Sequence, residues 1–164
     1  MRSNFIILNL KFGKWILNKR KLVFVDNFLW MLYKIWNKFL IDFILGTEIP
    51  AETDIGKGLI LAHGGKGVVI HHHAKIGDNV TVYHQVTIGG HGLGNFDEAY
   101  KEANKHKAVS APVIGNNVTI FTGAKIIGPV TIGDGAIIGA NAVVIKDVPA
   151  KATAVGVPAR NIIK

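Results

Sequence analysis

From residue 49 onward an aliphatic side chain recurs at every sixth position. Ile49, Ile55 and Leu61 begin the series, Ile70, Ile76, Val82 and Ile88 continue it, and Ile114, Ile120, Ile126, Ile132, Ile138 and Val144 complete it. Three residues are added between Leu61 and Ile70, and an excursion over about 91–111 separates the blocks 49–90 and 114–149. A period of six fits neither the 3.6 of a helix nor the alternation of an ordinary strand. The residues between the aliphatics are regular too: "GKG" (56–58), "GDN" (77–79), "GNN" (115–117), "GDG" (133–135) and "GAN" (139–141). Gly, Asn and Asp tolerate left-handed backbone angles and build tight corners. Each unit is therefore a short strand and a corner. One inward aliphatic cannot bury itself, but stacked units share a continuous core. Three units close a triangular coil, so that the aliphatics stack at the parallel-sheet spacing of about 4.8 Å. The pattern predicts a parallel β-helix of about four coils over residues 47–164, with one extended loop.

Residues 1–46 lack the period. "FLWMLYKIWNKFLIDFIL" (28–45) gathers Asn27, Lys34, Asn37, Lys38 and Asp42 into a polar stripe roughly 140° wide on a helix, and the rest is apolar. This predicts an N-terminal helical segment that packs on the remainder of the chain or on a neighbouring subunit. The alternative is peripheral contact with a membrane interface, with Trp30, Tyr33 and Trp36 near the headgroups. "FIILNL" (5–10) is too short for a convincing secretory core.

Charge sharpens that division. The net charge of +8 is concentrated in residues 1–46, which carry 8 Lys or Arg against 2 Asp or Glu. Residues 47–164 carry 11 against 9. The basic residues form no nucleic-acid-binding motif, so nucleic acid is not an expected partner. The absence of Cys excludes disulfides, thiolate metal sites and a Cys nucleophile. The expectation is a cytoplasmic protein, at most peripheral on the inner membrane face.

Four segments carry a resemblance beyond the period: "IGKGLILAHGGKGVVI" (55–70), "VTIGGHG" (86–92), "APVIGNNV" (111–118) and "GVPAR" (156–160). Over about 48–162, without the excursion, the chain resembles hexapeptide-repeat acyltransferases of the serine acetyltransferase-like branch, which includes polysaccharide O-acetyltransferases. The resemblance implies a left-handed helix, a homotrimer and acetyl-CoA as acyl donor. It makes His63 the general base and puts Glu48 where the family has an orienting Asp. An imidazole suits that work, since a hydroxyl is a poor nucleophile near neutral pH. By position, Gly89, Gly90, Thr122, Gly123 and Ala140 would line the pantetheine arm. Lys125, Lys146 and Arg160 could meet the cofactor's phosphates. His84 and His91, with Phe96 and Tyr100 of the long loop, are candidate acceptor contacts. "HHH" (71–73) is expected to be an exposed or subunit-facing strand, and no metal is expected.

The sequence also departs from the serine enzymes. Ala62 stands where they carry Asp before the catalytic His, and Ser110-Ala111 where they carry Arg-His before Pro112. Those family residues hold the charged groups of the amino acid. Their loss favours a carbohydrate acceptor, a sugar hydroxyl of a surface polysaccharide or its precursor. Serine is the alternative acceptor. A metal enzyme of the γ-carbonic-anhydrase type and a silent scaffold are remoter readings, the former disfavoured by histidine spacing.

Overall fold

The computed structural model describes residues 2–18, 23–39, 46–90 and 111–162. Two helices, α1 (Arg2–Asn18) and α2 (Val23–Trp36), precede the strands. The strands are β1 (Asp54–Ile55), β2 (Ile60–Leu61), β3 (Val69–Ile70), β4 (Lys75–Ile76), β5 (Thr81–Val82), β6 (Thr87–Gly89), β7 (Val113–Ile114), β8 (Thr119–Ile120), β9 (Lys125–Ile127), β10 (Thr131–Ile132), β11 (Ile137–Ile138), β12 (Val143–Val144), β13 (Thr153–Val155) and β14 (Arg160–Ile162). Every third strand is a neighbour. The sheets run β1-β4-β7-β10, β2-β5-β8-β11-β13 and β3-β6-β9-β12, all parallel, and β14 closes the second by pairing antiparallel with β13. The chain is a left-handed parallel β-helix of about four coils, an exception to the usual right-handed crossover.

Register follows the sequence period. Thr119 lies opposite Ile137, 18 residues on. Ile60 lies opposite Thr81, 21 residues on, because the three added residues loop out between β2 and β3. Lys75 lies opposite Val113, so the excursion is shed between two strands that remain neighbours. All the periodic aliphatics are buried except Ile55, which is half-buried. Ile55 lines a cleft of about 630 Å³ with Ile7 and Leu10 of α1.

A second inward column lies four residues after the first: Ala74, Val80, Val86, Val118, Ala124, Val130, Ala136, Ala142 and Val148, all buried. The core thus needs two residues per unit, one large and one small, where the period of the large ones had suggested one. Between the columns the corners are tied by side chains. Asp78 accepts from the Lys57 N–H at 2.7 Å, Asn116 from the Asp78 N–H at 2.8 Å and Asp134 from the Asn116 N–H at 2.7 Å. Each short polar side chain satisfies a backbone donor of the coil before it. Beside them the coils approach so closely that a Cβ at Gly77 would lie 2.7 Å from the backbone carbonyl of Gly115. Backbone cannot yield as a side chain does. Gly77→Ala is expected to cost about 1–3 kcal/mol, read as a lower urea midpoint with an unchanged slope.

The N-terminal segment is helical as expected, but it has two helices, and α1 is part of the core. Ile6 and Leu10 are buried in the cluster that fills the β-helix, so α1 caps the first coil. α2 lies on α1 through Trp30 and Tyr33, which join Ile16 and Ala51 in a smaller cluster. Gly13 allows this crossing, because a Cβ there would run into the Tyr33 ring and lie 2.7 Å from the Ala51 Cβ. The polar stripe on α2 is not wholly solvated. Asn37 turns inward and accepts from Asn9 at 2.6 Å. Part of the apolar face stays outside: Phe28, Leu32, Ile35, Trp36 and Phe39 are exposed, as are Phe5, Leu8, Phe12 and Trp15 on α1. Among the described residues no helix is long and apolar enough to cross a membrane.

Candidate active site

The three residues added after Leu61 form the turn that carries His63. Ala62–Gly65 make a 3₁₀ turn in which His63 (φ 52°), Gly64 (φ 73°) and Gly65 (φ 66°) are all left-handed. The glycines accept this freely, whereas a histidine there carries backbone strain. The turn is anchored from the coil above. The Thr47 hydroxyl donates to the Gly65 carbonyl at 2.8 Å, and the Gly67 N–H donates to the Gly46 carbonyl at 2.6 Å. An ordinary corner has no room for these residues, so the insertion pushes the His63 ring out into solvent.

Register defines what lies below it. His63, His84, Thr122 and Ala140 occupy successive rungs of one corner, after β2, β5, β8 and β11. The His63 and His84 rings meet edge to face with centroids 5.2 Å apart. His84 Nδ1 shares a 3.4 Å hydrogen bond with the Thr122 hydroxyl. One residue earlier on the same corner, Tyr83 packs on Phe121 with ring centroids 5.0 Å apart, and the His63 ring lies 5.7 Å from that of Tyr83. Side chains along the corner diminish from imidazole to hydroxyl to methyl, with Gly123 buried beside Thr122. An exposed imidazole above a corner of small residues can take a proton from a hydroxyl bound against it.

The expected site residues do not all converge. Glu48 does share His63's corner: its carbonyl accepts from the Ile70 N–H at 2.8 Å, and Thr47 beside it anchors the turn. Among the described residues, however, no hydrogen bond joins its carboxylate to His63. Glu48 lines a cleft of about 230 Å³ with Trp30, Lys34 and Lys38 of the N-terminal segment. The ring in contact with His63 is His84. Thr122, Gly123 and Ala140 lie on His63's corner, but Gly89, Gly90 and Lys146 lie at the next one, where β6 ends and after β12. Both glycines have packing reasons within the chain. A Cβ at Gly89 would lie 2.9 Å from Ile127 Cδ1, and one at Gly90 would lie 2.9 Å from the His71 ring. The Lys125 ammonium donates to the Gln85 carbonyl at 2.7 Å, so it ties two coils together. Lys146 and Arg160 are exposed. His91, Phe96 and Tyr100 lie outside the described residues. His71, His72 and His73 do not run on as a strand. They turn after β3, and burial, then the charges of His72 and His73, hold His71 below the ordinary imidazole range.

Sequence reading missed Tyr83 and Phe121. They stand one place after the inward Val82 and Ile120, a corner position held elsewhere by Ala62 and Gly139. Two aromatics at such a position were the available signal.

Comparison with known proteins fits this geometry. Residues 111–146 match the family model described as bacterial transferase hexapeptide (six repeats). A serine acetyltransferase of Helicobacter pylori (strain J99) is 41% identical over 148 residues, covering 90% of this chain and 74% of its own length. The chain belongs to the serine acetyltransferase family. Its members are acetyl-CoA-dependent acyltransferases. A Bacillus pumilus serine acetyltransferase is 43% identical over 122 residues, which cover 74% of this chain and 50% of that one. Among solved structures, a crystal structure of Neisseria gonorrhoeae serine acetyltransferase superposes with a TM-score of 0.77 at 30% identity, over 100% of this chain and 54% of its own. A serine acetyltransferase in complex with CoA superposes with a TM-score of 0.75 at 26% identity, over 99% of this chain and 57% of its own. The chain thus spans about half the length of these solved family members. The helices α1 and α2 fall within the superposed part.

Proposed function

We propose that this chain transfers an acetyl group from acetyl-CoA to the hydroxyl of serine, with His63 as general base. The observation that carries the acceptor is the 41% identity to a serine acetyltransferase over 90% of the chain. This reverses the preference for a carbohydrate acceptor drawn from the departures at Ala62 and Ala111. In the proposed reaction, a neutral His63 nitrogen takes the hydroxyl proton as the serine oxygen attacks the thioester carbonyl. The tetrahedral intermediate expels the coenzyme A thiolate, which takes the proton back from the imidazolium. O-acetylserine and coenzyme A leave, and His63 is neutral again. Thr122, Gly123 and Ala140 offer the cofactor a surface with little side chain on His63's own corner. Gly89, Gly90 and Lys146 lie on a different corner, so a cofactor that touches both sets would lie between two chains. A homotrimer would provide such an interface. Glu48 is the proposed orienting carboxylate, supported by its backbone position beside the His63 turn.

A second reading keeps a sugar hydroxyl as acceptor. It is favoured by Ala62 beside His63 and by the buried Ala111, neither of which can hold an amino acid's charges. Incubating the purified chain with acetyl-CoA and either serine or neutral sugars, and following free thiol and O-acetyl product, separates the two. Serine-dependent thiol release is expected. Release with sugars alone would move the acceptor to carbohydrate, and release with neither would overturn the transfer reaction itself.

A further inference from the structure

Three histidines that the acetyl transfer does not use are gathered at one place. His71, His72 and His73 occupy a turn after β3, closed by the Ala74 N–H donating to the His71 carbonyl at 2.9 Å. On a continuous strand the middle ring would point to the opposite face. The turn brings all three together, with ring centroids 4.3 Å apart for His71 and His72, 3.9 Å for His72 and His73, and 5.5 Å for His71 and His73. One ring nitrogen from each lies within 4.8 Å of the others. Among the described residues no other group of three His, Asp or Glu is so arranged.

The His71 ring is held from behind. Gly90 lies against it, and a Cβ there would come within 2.9 Å of its Cδ2 and Nε2 atoms. On the other side the His73 N–H donates to His71 Nδ1 at 3.2 Å, so the imidazole's one lone pair is engaged there and an ion bound through either ring nitrogen displaces this hydrogen bond. His72 and His73 are exposed. An ion with tetrahedral bonds of about 2.0–2.1 Å needs its nitrogens about 3.4 Å apart. Closing from 4.8 Å to that spacing requires the side chains to turn and the His73 N–H to leave His71 Nδ1. Imidazole ligands suit zinc, nickel or copper, whereas calcium and magnesium want oxygen.

We propose that His71, His72 and His73 form a binding site for one divalent late first-row transition ion, with water completing its shell. The site lies at the corner after β3, whereas the His63 turn lies before it. It shares its corner with Gly89 and Gly90, uses none of the residues proposed for proton transfer, and stands whether or not serine is the acceptor.

The test uses the full chain without an affinity tag, stripped with chelator and titrated with Zn²⁺ alone by calorimetry. One ion per chain is expected. His72→Ala and His73→Ala are each expected to weaken binding by about tenfold or more, and His63→Asn to leave it unchanged. Electron paramagnetic resonance of the wild-type chain loaded with Cu²⁺ counts the nitrogen ligands without any substitution, and three are expected. Absence of stoichiometric binding, binding that survives combining His72→Ala with His73→Ala, or fewer than three nitrogens would overturn the proposal.

Discussion

Replacing His63 by Asn is expected to lower kcat for acetyl transfer by about 10²- to 10⁴-fold, with kcat/KM falling by the same factor. The choice of Asn matters. His63 sits at φ 52°, a left-handed conformation that costs an ordinary L-residue such as Ala about 1–2 kcal/mol but that Asn adopts readily. The variant therefore removes the proton acceptor and keeps the loop. A general base acts in the transition state, so the loss falls on turnover while the KM for acetyl-CoA stays near that of the wild type. The measurement is thiol release at saturating acetyl-CoA over a range of acceptor concentrations. Turnover within a few-fold of wild type would leave His63 as a strained corner residue and nothing more.

The second large effect falls on stability. Ile120 is fully buried and stacks between Val82 and Ile138 in the sheet β5-β8-β11. Ile120→Ala is expected to destabilise the chain by about 2–5 kcal/mol. Each coil of a solenoid touches only its neighbours, so a cavity in a middle rung loosens the coil above and the coil below together. A domain is stable by only about 5–15 kcal/mol, and the loss would consume a large part of that. Urea unfolding at fixed protein concentration reads it as a lower midpoint. The same change at Ile55, which is half-buried below α1, is expected to cost clearly less. Equal losses at the two positions would mean that the stack is not the source of stability.

The β-helix was readable because its chemistry repeats. A six-residue step of Ile and Val, with Gly, Asn and Asp at the corners, leaves one economical way to bury every aliphatic, and strand register follows from it. The second inward column was equally present at the Ala and Val positions, but small residues carry little hydrophobic signal and were passed over. That α1 belongs to the core was missed for a different reason. Its buried face holds Asn9 and Gly13 among Ile6, Leu10 and Ile16, so only the packing of Tyr33 over Gly13 explains the pattern.

The turn that carries His63 was legible because an insertion, glycines and a histidine coincide where a strict period breaks. What surrounds it was not. Contacts between coils join residues 21 or 38 apart in sequence, such as His63 with His84 and His84 with Thr122, and no local pattern signals them. Lys125 shows the same limit. Its charge suggested a phosphate, and no local pattern signals that the fold also sets the Gln85 carbonyl 2.7 Å from its ammonium. His71 to His73 read as strand because they continue the β3 run, and only the turn at Ala74 reveals that their rings converge.

A crystal structure of the chain with coenzyme A tests the central claim most directly. The coenzyme sulfur is predicted to lie within about 5 Å of the His63 ring, leaving room for an acceptor oxygen about 3–3.5 Å from the thioester carbon and in hydrogen-bond reach of the imidazole. Coenzyme A bound at another corner, or in the cleft under α1 with its sulfur far from His63, would contradict it.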